Sequence, residues 1–187
     1  HKIAIDTLQK IKKKYDVEFG CADIIGKKWL CNIPGVDSLS SKDFQQLCKS
    51  LKEEERCKYY NATLKAGQLK AEAKLALEKI RFESPMHVED AKKLCKGLCA
   101  YEILVRLARD ANVIVCDYYH LFNPIVASSF LFKTAKTLEN SILIIDEAQN
   151  LPSRIMELLS EKISTISLER AIKEARKFGF EEEWECD

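Results

Sequence analysis

The chain contains 187 residues, of which 47% are hydrophobic and 32% are charged. A chain of this length and apolar content can bury one substantial core, or one core and a small satellite domain, so its composition argues against a disordered protein. The formal net charge is only +1, but residues 26–99 contain 15 Lys or Arg against 10 Asp or Glu, whereas residues 100–187 contain 10 against 15. A basic half joined to an acidic half suits a polyanionic partner on one side only, although lysine runs are also common on solvated helix faces.

The sequence offers no segment that would place the protein in a membrane. It contains no run of about 18 apolar residues, and it does not begin with the charged and apolar succession of a signal peptide. We therefore expect a soluble, intracellular protein without membrane contact. In such a protein, eight cysteines indicate metal or cluster ligation, or buried thiols, rather than disulfides.

The first predicted elements are a helix and a short extended segment. Residues 2–15 predict an amphipathic helix, because apolar side chains recur there at near-helical spacing among lysines. These apolar residues are Ile3, Leu8, Ile11 and Tyr15. Residues 17–25 then predict an extended segment that ends at Gly26.

Residues 27–99 differ in character and predict an insertion. After Pro34-Gly35, a serine-rich turn over residues 37–41 predicts the cap of a helix that begins near Lys42. Residues 61–82 are rich in Ala, Leu, Lys and Glu, which predicts one helix that stops near Ser84-Pro85.

Beyond residue 99 the pattern is typical of an α/β domain. Helices are predicted over residues 101–109 and 124–132, and strands over residues 113–116 and 142–145. Both strands are continuous apolar runs, as buried parallel strands are. The tail predicts a strand over 163–166, a helix over 168–178 and an acidic end over 181–187.

The second predicted strand leads directly into two carboxylates, in the order Asp146-Glu147-Ala148-Gln149. Ligands of open α/β sheets bind at the carboxyl ends of the strands. Asp146 can hold Mg²⁺ there, while Glu147 can polarise the water that attacks the γ-phosphate of ATP. The pattern predicts a nucleotide-hydrolysing site. The alternative is an exposed helix start, where acidic residues are favoured by the helix dipole.

A phosphate-binding loop should accompany this motif. The nearest approach to the pattern G-x-x-x-x-G-K-[ST] runs from Gly20 to Lys28, and it fails at two points. Five residues instead of four separate its two glycines, and Lys28 stands where a Ser or Thr should bind Mg²⁺. Either the protein is not an NTPase or the loop lies outside the chain. A chain that opens inside a helical pattern favours the second explanation, so we expect this segment alone to be inactive.

Four cysteines in and at the end of the insertion are spaced too irregularly for a zinc finger or ribbon, with 16, 8 and 41 residues between them. They are Cys31, Cys48, Cys57 and Cys99. Of the others, Cys21 and Cys116 are expected to be buried thiols in strands, and Cys186 has no partner nearby.

The sequence around these four cysteines resembles that of the XPD family of iron–sulfur helicases. The similar stretches are Gly26-Lys27-Lys28-Trp29-Leu30-Cys31, Leu47-Cys48-Lys49, Cys57-Lys58-Tyr59-Tyr60 and Leu98-Cys99-Ala100-Tyr101-Glu102. The strand and the acidic box follow as in the family, and residues 111–124 add a further similar stretch. The resemblance covers nearly the entire chain.

The resemblance implies an α/β fold, in which a RecA-like motor domain segment is interrupted by a small, mainly helical iron–sulfur cluster domain. Residues 1–26 and 100–166 would belong to the first motor domain, residues 27–99 to the cluster domain, and residues 167–187 to the start of a helical arch insertion. The implied activity is that of an ATP-dependent helicase that moves 5′ to 3′ on single-stranded DNA and unwinds duplexes, in DNA repair.

The resemblance also implies the site residues. Cys31, Cys48, Cys57 and Cys99 would hold a 4Fe–4S cluster, and Cys95, one helical turn before Cys99, is the rival for the fourth position. Asp146 and Glu147 would act on Mg²⁺-ATP, and Gln149 would couple hydrolysis to movement. Single-stranded DNA would contact a basic and aromatic group formed by Lys27, Lys28, Tyr59 and Tyr60.

Two positions depart from the family pattern. Gln149 stands where the box normally has His, which puts the coupling of hydrolysis to movement in question, although Gln149 can still donate and accept hydrogen bonds. Ala100 stands where Pro normally follows the fourth cysteine. The implied partners are single-stranded DNA and DNA forks, bound by a monomer in the cytoplasm of a prokaryote or the nucleus of a eukaryote.

Two other classes of function compete with the helicase. In the first, the chain is a zinc- or cluster-binding nucleic-acid module without catalysis, and Asp146-Glu147 merely begins a helix. In the second, it is a scaffold whose acidic box has decayed, for which Gln149 is the hint.

Overall fold

The computed structural model describes residues 1–160 and 164–179, and it divides into two compact units, residues 1–148 and residues 149–187. The first unit begins with helix α1, Lys2–Tyr15, and strand β1, Cys21–Ile24. Both lie within the ranges predicted from the sequence. Three lysines in the last turn of α1 stabilise it, because cations are favoured at the carboxyl end of the helix dipole.

The next segment contains a short 3-10 helix, Val36–Ser38, and helix α2, Ser41–Glu53. Ser40 caps α2, since its hydroxyl oxygen accepts a hydrogen bond of 3.1 Å from the backbone N–H of Asp43. This confirms the serine-capped helix predicted near Lys42.

The single helix predicted over residues 61–82 is wrong in its first part. The structure has helix α3 (Lys58–Thr63) in this region, followed by an antiparallel hairpin. The hairpin is formed by strands β2 (Leu64–Lys65) and β3 (Gln68–Leu69), and helix α4 (Ala71–Glu83) follows it. Ala66 and Gly67 form the turn with φ of 48° and 78°. Two left-handed residues fit a tight hairpin turn, and the local abundance of helix-forming residues concealed it. The predicted stop before Ser84-Pro85 is confirmed.

The remaining elements of the first unit surround helix α6. After α5, Val88–Leu94, come α6, Ala100–Asp110, strand β4, Val113–Cys116, and helices α7, Tyr119–Phe122, and α8, Pro124–Thr134. Strands β1 and β4 pair in parallel, with Cys21 opposite Val113 and Ile24 opposite Cys116. Helix α6 packs on β1, α4 and α8, and eight of its eleven residues are buried. The result is the helix-rich α/β fold that the sequence predicted.

The strand predicted over residues 142–145 is wrong. These residues form no strand, and the side chains of Ile142 and Ile144 are each 93% exposed. A strand forms only where its backbone N–H and C=O groups find a neighbouring strand. In the described part of the chain β1 and β4 pair with each other, and residues 142–145 pair with neither.

The second unit contains helices α9, Leu151–Leu159, and α10, Thr165–Lys177. Helix α10 confirms the predicted helix over 168–178. The predicted strand over 163–166 is wrong at Thr165 and Ile166, which belong to α10. Ser164 caps this helix, because its hydroxyl oxygen accepts a 3.1 Å hydrogen bond from the backbone N–H of Ser167. Residue 163, Cys186 and the acidic end lie outside the described residues. Within residues 1–160 and 164–179, no helix is both long and apolar enough to cross a bilayer.

Candidate functional site

Four cysteines from separate stretches of the chain line one pocket in the first unit. They are Cys31, Cys48, Cys57 and Cys99. One lies in the loop after β1, one in α2, one at the start of α3 and one at the start of α6. These are the four residues that the resemblance implies as cluster ligands, and the fold brings them together.

Each cysteine is positioned by local packing or by backbone hydrogen bonds. Cys31 follows the fully buried Leu30, and Cys48 lies one helical turn after the buried Phe44 on the same face of α2. The sulfur of Cys57 accepts a 3.5 Å hydrogen bond from the N–H of Tyr60. The N–H of Cys99 donates a 2.7 Å hydrogen bond to the hydroxyl of Thr63, which fixes the start of α6 beside α3.

Among the pocket cysteines, Cys57 is buried and Cys31, Cys48 and Cys99 are half-buried. Burial raises the pKa of Cys31, and nearby Cys48 and Cys57 raise it further. Burial raises the pKa of Cys99 to about 12, although the backbone N–H of Glu102 acts in the opposite direction. Thiols in such a setting stay protonated unless a metal ion deprotonates them. The residues present therefore fit a metal cluster with thiolate ligands.

Cys95 does not line the pocket. Its side chain is fully buried in the hydrophobic core with residues of α4 and α6, and burial raises its pKa to about 12. Its backbone carbonyl oxygen accepts a 3.1 Å hydrogen bond from the side-chain amide of Asn32. The geometry therefore favours Cys99 over Cys95 as the fourth pocket cysteine.

The structure gives no preformed site for a single metal ion in its described residues. Among the residues that the structure describes, no three His, Cys, Asp or Glu side chains are grouped closely enough to hold one metal ion. A tetrahedral zinc ion would require sulfur atoms at about 2.3 Å from one point. A 4Fe–4S cluster instead binds one cysteine at each of four irons.

The predicted nucleic-acid residues divide into two groups. Lys27, Tyr59 and Tyr60 line the cysteine pocket. Lys28 does not line it: its ammonium group donates a 3.0 Å hydrogen bond to the carbonyl oxygen of Leu39 and lies 4.5 Å from the ring centroid of Trp29.

Lys27 remains charged in the pocket wall. Burial on its own would lower its pKa, but electrostatic interactions with the nearby Cys48, Tyr101 and Glu102 outweigh burial, so the pKa is raised. Its nitrogen lies 5.3 Å from the ring centroid of Tyr101. Lys27 thus places a positive charge next to one of the candidate ligands.

Several residues near the pocket were missed by sequence reasoning. Glu102 is buried and forms a 3.1 Å ion pair with Arg106. Lys52 lines the pocket, and it follows Cys48 by one turn of α2, so helical spacing was a usable signal for it. Lys133 of α8 lies 5.2 Å from the ring centroid of Tyr101, and no pattern in the sequence indicated that contact.

The acidic box lies in a turn rather than at the end of a paired strand. Asp146 is exposed, and its carboxylate accepts a 3.0 Å hydrogen bond from the N–H of Glu147, whose φ is 52°. The hydroxyl of Tyr118 donates to the carbonyl oxygen of Asp146. Gln149 belongs to a short 3-10 helix, Ala148–Asn150. The predicted strand-to-carboxylate geometry is therefore not formed here.

The carboxyl ends of β1 and β4 instead hold an ionic cluster that sequence reasoning missed. The two ring nitrogens of His1 lie 2.5 Å from the carboxylate of Asp23 and 3.0 Å from that of Asp117. The hydrogen bond to Asp117, which has the larger effect, and the hydrogen bond to Asp23 together raise the pKa of His1 to about 10. The imidazolium therefore links the ends of the two strands.

Comparison with known proteins gives the family. Residues 2–168 match the sequence profile of the DEAD_2 family. The chain is 35% identical over 89 residues to the general transcription and DNA repair factor IIH helicase subunit XPD/RAD3 of Saccharomyces cerevisiae, a match that covers 46% of this chain and 11% of that protein. It is 30% identical over 154 residues to the ATP-dependent DNA helicase CHL1 of the same species, with 80% of this chain and 17% of that protein covered.

A third relative is the regulator of telomere elongation helicase 1 homolog of Caenorhabditis briggsae, 28% identical over 138 residues, which are 70% of this chain and 12% of that protein. The chain thus spans less than a fifth of the length of these three relatives. Its helix-rich α/β fold is consistent with a RecA-like helicase domain. The chain belongs to the DEAD_2 family, the family of the N-terminal domain of XPD/Rad3-type helicases.

Proposed function

We propose that the complete protein is an ATP-dependent DNA helicase that moves 5′ to 3′ along single-stranded DNA, and that this segment of its first motor domain contains a 4Fe–4S cluster domain. The observation that supports the proposal best is the convergence of four cysteines, separated by up to 41 residues, on one pocket. Membership of a helicase family and relatives that are named as helicases support the activity.

In this proposal Cys31, Cys48, Cys57 and Cys99 hold the cluster. A bound cluster would supply a covalent cross-link between the loop after β1, α2, α3 and α6, in a region too small to have much core of its own. The protein contributes the burial that excludes water and a positive charge, the Lys27 ammonium group, beside Cys48. The domain boundaries after residues 26, 99 and 166 belong to the same proposal.

We assign Asp146 to the Mg²⁺ of bound ATP, Glu147 to the attacking water, and Gln149 to the coupling of hydrolysis with movement. These roles require the box to lie at the edge of a sheet. The exposed apolar run over residues 142–145 is suited to become a buried strand if it pairs with neighbouring strands of a complete motor domain.

The proposed nucleic-acid partner is single-stranded DNA at a fork. Lys27, Tyr59 and Tyr60 offer charge and aromatic rings beside the cysteine pocket, and Lys28 adds charge outside it. A role in DNA repair is proposed by similarity to a subunit whose name includes it. The protein is proposed to act as a monomer.

The alternative is a cluster- or zinc-binding nucleic-acid module without catalysis. It is favoured by one observation, since Asp146 and Glu147 lie in a turn and not after a paired strand. DNA-stimulated ATP hydrolysis by the complete protein distinguishes the two functions, because the module would bind DNA and the metal without turnover.

The first test replaces a pocket cysteine and a core cysteine in the complete protein, purified without oxygen. Cys99→Ser should lose the brown colour and the absorbance near about 400 nm that are typical of iron–sulfur clusters, together with about four irons per chain. Cys95→Ser is the matched control and should keep both, because Cys95 lies in the core and not at the pocket. Full iron in Cys99→Ser and loss in Cys95→Ser would transfer the fourth position to Cys95, and zinc in the wild type would contradict the cluster.

A further inference from the structure

The chain segments that carry the four pocket cysteines are joined by hydrogen bonds in which no sulfur atom takes part. The first of these links is made by Asn32, the residue after Cys31. Its side-chain amide donates to the backbone carbonyl oxygens of Cys95 and Leu98, at 3.1 and 2.8 Å. Cys99 follows Leu98 directly in the chain, so this amide links the segment of the first pocket cysteine to the segment of the fourth.

Thr63 makes the second link, between the fourth pocket cysteine and the third. Its hydroxyl oxygen accepts a 2.7 Å hydrogen bond from the N–H of Cys99. The same hydroxyl donates a 2.8 Å hydrogen bond to the carbonyl oxygen of Tyr59, in the helix that begins directly after Cys57. Thr63 is fully buried, so water does not compete for these bonds, and removal of the hydroxyl would leave a backbone N–H without its partner.

The third link joins the second pocket cysteine to the third, and it uses the backbone alone. The N–H of Cys57 donates a 3.0 Å hydrogen bond to the carbonyl oxygen of Leu51, which lies in α2 one turn after Cys48. The three links together connect the segments of all four pocket cysteines. Asn32 and Thr63 are the residues whose side chains take part in them.

We propose that Asn32 and Thr63 are positioning residues for the candidate cluster: they hold Cys31, Cys57 and Cys99 around the pocket and thereby slow the loss of bound iron. The inference rests on the proposed cluster function and adds to it the groups that keep the ligands in place. A ligand that stays in place can bind the metal again after one bond has opened, whereas a ligand that moves away exposes the metal to solvent. Replacing residues that orient metal ligands typically changes metal affinity by about 10- to 100-fold.

A general contribution to folding stability is the alternative role for both side chains, and the chain offers a matched control for each. Thr134 is also a fully buried threonine whose hydroxyl donates a 2.8 Å hydrogen bond to the carbonyl oxygen four residues earlier in its helix. Thr63 differs from it by also accepting the N–H of a pocket cysteine. Asn112 is the control for Asn32, because its side chain accepts a 2.9 Å hydrogen bond from the backbone N–H of Gly20 and does not line the pocket.

The experiment measures the rate of iron release from the complete protein, purified without oxygen, to an excess of a coloured iron chelator. Thermal unfolding of each variant is measured alongside. Thr63→Val keeps the shape of the side chain but removes the hydroxyl, and Asn32→Ala removes the amide, so each should release iron about 10-fold faster than wild type or more. Thr63→Ser keeps the hydroxyl and should restore slow release. Thr134→Val and Asn112→Ala should release iron at the wild-type rate, even where they lower the unfolding temperature.

Wild-type release rates in Thr63→Val and Asn32→Ala overturn the inference, and so does an equal acceleration in each variant and its control. If Thr63→Val does not fold, Asn32→Ala decides the question, because Asn32 is only half-buried and its replacement leaves the core intact. A wild type without iron and without absorbance near about 400 nm refutes the proposed cluster itself. That result is distinct from a wild type that holds its iron no longer than the two variants do, which refutes the positioning role alone.

Discussion

At the scale of single residues, two opposing influences act on the protonation of the pocket cysteines. Burial raises the pKa of Cys99 to about 12, whereas its place before the first turn of α6 and the N–H of Glu102 favour the thiolate. Cys57 likewise precedes α3 and accepts a backbone N–H. Thiols that are buried but have amide donors are poorly reactive on their own and become thiolates when a metal binds, so the pocket is organised for ligation rather than for nucleophilic chemistry.

One prediction at this scale concerns pH. His1 has its pKa raised from 6.5 to about 10, so the stability from its ion pairs is fully present below pH 6.5 and is lost as the pH rises toward about 10. Asp117→Asn should therefore destabilise the protein more at pH 6.5 than at pH 10, as thermal unfolding would show. The groups that face His1 are Asp23, Asp117 and His120, and burial lowers the pKa of His120.

The control for this prediction is Asp110→Asn. Asp110 forms a 2.6 Å ion pair with Arg81, and arginine does not titrate between pH 6.5 and pH 10. Its cost in stability should be the same at both pH values. An equal cost of Asp117→Asn at both values would show that His1 is not held as an imidazolium.

At the scale of elements, the sequence predicted those whose signals are local. Helix α1 followed from spacing, α2 from its serine cap, and the end of α4 from Ser84-Pro85. The hairpin between α3 and α4 was missed because its strands are two residues long, which is too short for an alternating pattern. The strand over 142–145 was predicted wrongly because apolar content shows that a segment can be buried, while a strand also needs a partner.

The hairpin can be distinguished from the helix that the composition suggested by the change in stability on substitution of Gly67, because the two structures predict opposite signs. Gly67 has a φ of 78° and open space around it, so Gly67→Ala should destabilise the hairpin by about 1 kcal/mol through backbone strain alone. Ala66→Asn should stabilise it, because Asn followed by Gly is a preferred pair for this turn. Thermal unfolding measures both. If residues 61–82 formed one helix, Gly67→Ala would stabilise it instead, since Ala favours helices over Gly.

At the scale of the whole molecule, the sequence identified the cysteines but not the wall beside them. The four cysteines were recognised by their neighbouring residues, although the distances between them along the chain gave no geometry. Lys133 lies 32 positions beyond Tyr101 in the sequence, and its contact with that ring exists because α8 packs on α6. The ionic link of His1 to Asp23 and Asp117 is also a product of parallel strand pairing, which no local pattern reports.

The last prediction concerns catalysis by the complete protein. Glu147→Gln keeps the size of the side chain but removes the charge that would orient and polarise the attacking water, so DNA-stimulated ATP hydrolysis should fall by at least about 10²-fold while ATP still binds. Asp146→Asn should instead weaken the Mg²⁺-dependent part of ATP binding, because the carboxylate is proposed to hold the metal. Glu139→Gln, a change at another carboxylate exposed in this structure, should leave both unchanged. Turnover of Glu147→Gln within a fewfold of wild type would mean that Asp146 and Glu147 only form the turn seen here, and the non-catalytic nucleic-acid module would then be the better account of the protein.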